Sequence, residues 1–220
     1  MKAFLFLLCA TAAMTPWGVA AETEEAPTEV EECRLPFNGQ WVVVQGGNTL
    51  DVNFHMGISA EWYGVDFRLP GGKRKIDLEG EKGFFCFGEL VLSPVEGEVV
   101  QVVDEFPDNP DGRKDEAHPN GNYVVIKSPT GRFVFLTHLK KDSVKVKTGS
   151  HVAAGDPLAQ CGNSGDSEYP VIHMRVQDRS APGSGHGINI IFKGISVVLN
   201  GKHFEKVDWP LIRGLVVSND

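Results

Sequence analysis

The sequence predicts an all-β fold, mainly antiparallel, and three observations carry that expectation. Apolar residues gather in short runs rich in Val, Ile, Phe, Tyr and Trp, which suit a pleated, half-buried surface. The 25 glycines and 13 prolines are roughly one residue in six, against about one in eight ordinarily, with no Gly-X-Y period. Many short elements joined by turns follow from that excess. Finally, no stretch of convincing length repeats its apolar residues at helical spacing.

Taken in order, the chain opens with a basic start at Lys2, an apolar run from Ala3 to Ala10, and small residues at Gly18, Val19, Ala20 and Ala21. This is the pattern of a secretory signal peptide over residues 1–21, and its apolar run is too short to span a bilayer. Residues 22–36 are acidic, contain Pro27 and lack hydrophobic period, so they read as a flexible leader. The remainder, 37–220, suits one domain with one sizeable core. No later segment is long enough to span a membrane, so the mature protein is expected to be secreted or periplasmic.

Strand signals begin at Trp41-Val42-Val43-Val44-Gln45 and return at Glu98 to Val103, Asn122 to Lys127 and Arg132 to Leu136. Ser128-Pro129-Thr130-Gly131 joins the last two as a hairpin. The segment Val144 to Leu158 has the rhythm of two tight turns at Gly149 and Gly155, each feeding a short strand. Lipoyl and biotinyl carrier domains share that rhythm, but the modifiable lysine within its motif is missing here. The chain closes on Ile188 to Phe192 and Ser196 to Leu199.

Charge and cysteine content narrow the function. With 21 Lys and Arg against 29 Asp and Glu, the net charge of −8 provides no basic field for a phosphate backbone, which argues against a nucleic-acid partner. Outside the signal peptide the cysteines are Cys33, Cys86 and Cys161. None forms a Cys-x-x-Cys pair, so a zinc ribbon is rejected. In an oxidising compartment one disulfide and one leftover thiol are expected, with all three pairings open.

Strand alternation then sorts the side chains that carry chemistry. In Val171 to Val176, the residues Ile172, Met174 and Val176 face a core, while Val171, His173 and Arg175 share the other face. Tyr63, Val65 and Phe67 leave Asp66 opposite; Val52, Phe54 and Met56 oppose Asn53 and His55. In Arg132 to Leu139, Phe133, Phe135 and Leu139 form the apolar face, and His138 lies on the other with Val134 and Leu136. For any single one of these residues a solvated strand face is the simplest explanation. It is also the one adopted for His118, His151, His186 and His203.

The ordered combination is more specific. Asp66-Phe67, Ser93 to Gly97, Gly121 to Ile126, Thr137-His138-Leu139, Val144 to Gly155, Cys161 to Gly165 and Pro170 to His173 together resemble the lysostaphin-type (LytM-like) zinc metallopeptidases. The resemblance covers about residues 37–192. It implies an antiparallel β core with a groove, of the duplicated-hybrid-motif kind, and cleavage of peptide cross-links in bacterial cell walls. It also implies one zinc ion held by a His, an Asp and the second His of a His-x-His pair, with two further histidines assisting. Asp66 matches the family aspartate, His173 the second His of the pair, and His138 a catalytic histidine.

The chain departs from the family pattern twice. Trp62 stands four residues before Asp66, where the first ligand is usual, so His55 further upstream is assigned that role. Val171 occupies the place of the first His of the pair. Three protein ligands and an open position for water make a satisfactory catalytic zinc site. His138 is then the acid/base group, with one assisting position empty unless Arg175 or a loop residue fills it. Two functions follow: an exported zinc metalloendopeptidase acting on peptidoglycan or another peptide, or a degenerate relative that binds cell-wall peptides or regulates a partner hydrolase.

Overall fold

Hairpins build the sheet. In the computed structural model, which describes residues 29–70, 75–76, 82–83, 86–110 and 112–219, β8 (Asn122–Lys127) and β9 (Phe133–Leu139) pair antiparallel. The expected turn at 128–131 joins them, and Gly131 adopts the left-handed φ of 84° that the tight reversal demands. β7 (Gly97–Val103) extends this unit on one side, and β12 (Ile172–Gln177) on the other. Beyond β12 come β3 (Val65–Arg68) and β2 (Gln40–Gln45), also antiparallel. The fold is all-β.

The rest of the sheet comes from the ends of the chain. β13 (Asn189–Leu199) merges the two closing segments into one long strand, bulged around Gly194 at φ 61°. It pairs antiparallel with β14 (Lys202–Trp209) and β15 (Val216–Asn219), and β15 returns to β2. β10 (His151–Val152) closes the far edge on β7. β11 (Pro157–Gln160) pairs separately with β6 (Leu90–Leu92), and β4 (Lys75–Ile76) with β5 (Lys82–Gly83). The two turns expected within 144–158 are there, with Gly149 at φ 87° and Gly155 at φ 96°.

β1 (Val30–Cys33) corrects the expected extent of the leader. Rather than continuing as a flexible segment to residue 36, the chain joins β13 in parallel at Val30, in alternating exposed and buried order. The physical reason is what Glu31 and Cys33 find beneath them. Cys33 packs in the core, and Glu31 accepts a hydrogen bond from Thr130 Oγ1 at 2.5 Å while 3% exposed. The signal-peptide segment 1–21 and the first part of the leader lie outside the described residues. So does most of the long insertion between Leu69 and Phe87.

The core lies under the middle of the sheet. Phe67, Val124, Ile126, Val134, Leu136, Ile172, Met174 and Val176 belong to one buried cluster with Phe37, Trp41 and Phe192. Each large apolar side chain buried there contributes roughly 1.5–3 kcal/mol. A disulfide joins Cys86 to Cys161 and leaves Cys33 as a buried thiol, so one of the three open pairings is selected. Among the described residues no helix is long and apolar enough to cross a membrane.

Candidate active site

The face of the sheet opposite the core forms one wall of a cleft of about 610 Å³. β12 supplies its central row. As alternation predicts, Ile172, Met174 and Val176 enter the core, whereas Val171, His173 and Arg175 line the cleft. His173 lies directly opposite Asp66 of β3, and its Nδ1 is 2.7 Å from Asp66 Oδ1. Neighbouring strands thus bring together two residues that are 107 positions apart.

His55 arrives by another route. The expected strand around residue 54 is replaced by a 3-10 turn, Phe54–Gly57, followed by a second, Ser59–Glu61. Asn53 is the reason. Its side-chain oxygen accepts from the His55 N–H, and its amide nitrogen donates to the carbonyls of Gly47 (2.9 Å) and Gly64 (3.0 Å). An asparagine satisfying backbone groups in this way starts a turn more readily than it continues a strand. His55 Nε2 then lies 3.0 Å from Asp66 Oδ1, while Glu61 Oε2 is 3.2 Å from Nδ1. Gly64 makes the approach possible: a Cβ there would sit 2.8 Å from His173 Cε1 and 2.9 Å from the Glu61 carbonyl.

Trp62, four residues before Asp66, is not among the cleft-lining residues. Its ring lies near His186, with centroids 5.8 Å apart, and its backbone packs against Gly187. Among the described residues, His55, Asp66 and His173 are the group able to hold a metal ion, with one ligand atom each, all within 4.8 Å of one another. Two imidazoles and a carboxylate, buried and convergent, match the donor chemistry and ligand number of a zinc site with an open position. Glu61 is what sequence reasoning missed. It holds the outer nitrogen of His55 and directs the inner one, as outer carboxylates do for ligating histidines.

His138 reaches the cleft, but the two faces expected for the preceding part of its strand are reversed. Val134 and Leu136 lie in the core, and Phe135 and Thr137 face the same side as Arg175 and His173, their partners on β12. Continued alternation would turn His138 inward. Instead the strand is irregular between Asn122 and Val124 opposite, and His138 takes a left-handed φ of 60° that brings two successive residues to the cleft. Its backbone N–H donates to the Asn120 carbonyl, and Nδ1 donates to the Ser164 carbonyl at 2.9 Å. A carbonyl only accepts, so Nδ1 carries the proton and Nε2 keeps its lone pair. Gly121, at φ 54° against Ser164, permits this contact; a Cβ would lie 2.4 Å from the Ser164 carbonyl carbon.

Electrostatics separate the histidines. Burial pushes the pKa of His55 down, but the Asp66 and Glu61 carboxylates outweigh it and raise it to about 9. His173 goes the other way, to about 4, through burial and the charge of His55. Burial pushes Asp66 up, yet both histidines hold it well below the usual carboxylate range. His138 is lowered by burial, so it is neutral at pH 7. His118, His151, His186 and His203 line no part of the cleft.

Residues 79–184 match the family model described as Peptidase family M23. That span holds His138, Val171, His173 and Arg175, with His55 and Asp66 upstream of it. A search of curated proteins finds no match. Among solved structures, the chain is similar to a zinc-containing peptidase from Vibrio cholerae (24% identity, 65% of this chain and 35% of that one, TM-score 0.41). It is similar to a putative M23 peptidase from Pseudomonas aeruginosa (22%, 51% and 37%, TM-score 0.35). It is also similar to the catalytic domain of lysostaphin from Staphylococcus simulans (18%, 68% and 86%, TM-score 0.40). The chain thus spans little more than a third of the first two. Over residues 79–184, a little under half of its length, the chain matches peptidase family M23 and is M23/LytM-like.

Proposed function

We propose that the chain is an exported zinc metalloendopeptidase acting on peptide cross-links of peptidoglycan or on another peptide bond. The observation that carries this reading is the convergence of His55, Asp66 and His173 in a cleft that also holds His138. On this reading residues 1–21 direct export and are removed, and 37–220 form one peptidase-like domain. One zinc ion would be held by His55 Nε2, Asp66 and His173 Nδ1, the atoms that face one another. When bound, zinc supplies a Lewis acid and a water whose pKa falls to about 7.

The remaining chemistry belongs to the protein. His138, neutral and with Nε2 bare, takes a proton from the attacking water and returns it to the leaving amine, a role that typically contributes about 10²–10⁴-fold. Glu61 keeps His55 oriented. Val171 and Thr137 are buried in the cleft wall, and Val171 offers no hydrogen-bond donor to a developing oxyanion.

Val171 is also the observation that favours a second reading, a degenerate relative that binds cell-wall peptides or regulates a partner hydrolase. Zinc analysis and peptide release from isolated cell walls separate the two. For the peptidase, the mature chain holds about one zinc, and His138→Ala lowers release by about 10²-fold or more with the metal retained. Wild-type protein without release, gaining it on Val171→His, overturns the peptidase reading in favour of the degenerate one.

A further inference from the structure

Arg175 is among the largest side chains in the fold to be fully buried, at 1% exposure, and it lines the cleft two residues along β12 from His173. Its contacts are with neutral groups. Nε donates to Gln177 Oε1 at 3.0 Å, one terminal nitrogen donates to Asn120 Oδ1 at 2.8 Å, and the guanidinium lies 4.5 Å from the centroid of the Phe135 ring. Among the described residues it forms no ion pair, and its other terminal nitrogen makes no hydrogen bond. The Glu61 carboxylate acts on it through space but is hydrogen-bonded to His55.

A buried cation without a counter-ion is costly, and chains retain one mainly where a partner arrives to neutralise it. A guanidinium does not give up its proton in a protein, so the charge persists at neutral pH. Of the other cations of the cleft, Lys114 bridges Glu116 and Asp166. Arg68, half-buried, lies over the Tyr169 ring at 5.8 Å and leaves its buried Nε without a hydrogen-bond partner. Arg175 differs from it in being fully buried and held by two side chains. Arg175 is also held in place before any ligand comes. Gln177 is oriented by its own bond to the Ser184 carbonyl, and the backbone carbonyl of Asn120 is tied to His138. A fixed guanidinium with a free donor is suited to a carboxylate, which accepts charge-assisted hydrogen bonds.

We propose that Arg175 is an anion subsite of this cleft, taking a carboxylate of the bound peptide beside the metal-ligand group. The inference rests on reading the cleft as a peptide site, but needs neither turnover nor a metal. The carboxylate comes from a chain terminus or an acidic side chain, and the probes distinguish these. Binding to the mature chain is measured by calorimetry for triglycine against triglycine amide, and for acetyl-Gly-Glu-Gly amide against acetyl-Gly-Gln-Gly amide. Each measurement is made with zinc present and again after chelation, so that a carboxylate held by the metal is recognised.

In at least one pair the carboxylate form should bind about tenfold more tightly or better, with or without zinc. Arg175→Gln should abolish that preference, and Arg175→Lys should retain part of it. Because a buried arginine also supports packing, Asn120→Asp is the second variant. It is nearly isosteric, places a carboxylate against the guanidinium, and should abolish the preference in a chain of unchanged melting temperature. Equal binding within both pairs, no binding of any probe, a preference that vanishes on chelation, or one that survives both Arg175→Gln and Asn120→Asp overturns the subsite. Zinc content and cell-wall release on the same preparations report separately on the peptidase reading.

Discussion

The metal-ligand group has two halves built by different means. Asp66 and His173 stand on adjacent strands, in register, over a packed core. His55 stands on a 3-10 turn held by Asn53 and Glu61, beside the exposed side chains of Leu50, Phe54 and Ile58. The strand half is positioned by a ladder and by burial of its opposite face. The turn half is positioned by a few polar contacts among buried side chains. We therefore expect substitutions in the turn half to loosen metal binding without unfolding the sheet.

The greatest effect should come where the halves touch. Gly64→Ala drives a methyl group against His173 and the Glu61 carbonyl, and should weaken zinc binding by more than the roughly 100-fold upper range of outer-shell changes. Competition with a fluorescent chelator measures it, and unaltered affinity would mean that the two halves are not in contact as described. Glu61→Gln leaves a hydrogen-bonding group beside His55 but removes the charge; zinc affinity should fall by about 10–100-fold, with Glu61→Asp retaining part of it.

Titration separates the halves next. In the metal-free chain, His55 is raised to about 9, so the stability it adds is complete below its ordinary value of 6.5 and is lost as pH rises through about 9. His173 is depressed to about 4, so its neutral form adds stability that is present above 6.5 and lost as pH falls through about 4. Melting temperature in the presence of chelator should therefore peak near pH 6.5, where the two windows meet. His55→Ala should remove the alkaline slope and leave a shallower acid one, since the charge of His55 helps to depress His173. The last effect is on stability: Asn53→Ala loses a cap and two further hydrogen bonds at a buried position, about 2 kcal/mol or more, read from chemical denaturation.

The two halves also differed in how far they could be read in advance. Alternation along β12 correctly divided Val171, His173 and Arg175 from Ile172, Met174 and Val176, because a strand buried on both faces leaves no other arrangement. It failed along β9, where Val134 and Leu136 enter the core in place of Phe135, and a left-handed His138 joins Thr137 on the cleft side. It failed again around His55, where Asn53 turns a segment of alternating residues into a 3-10 turn. The left-handed His138 and the turn at His55 are local backbone events set by contacts with distant groups, the Ser164 and Gly64 carbonyls. Glu61 offered little signal, since an acidic residue in a loop is ordinarily solvated.

Short β-branched runs, the glycines between them and the order of a few motifs were enough to give most strands, their antiparallel habit and the family resemblance. Those properties depend on local propensity and period, which a linear chain carries in full. Tertiary structure alone decided that Cys86 pairs with Cys161, that residues 30–33 join the sheet, that Glu61 orients His55, and that Arg175 is buried in the cleft wall without a counter-ion. Each of these depends on distances between residues far apart in the chain, where packing rather than propensity selects the partner.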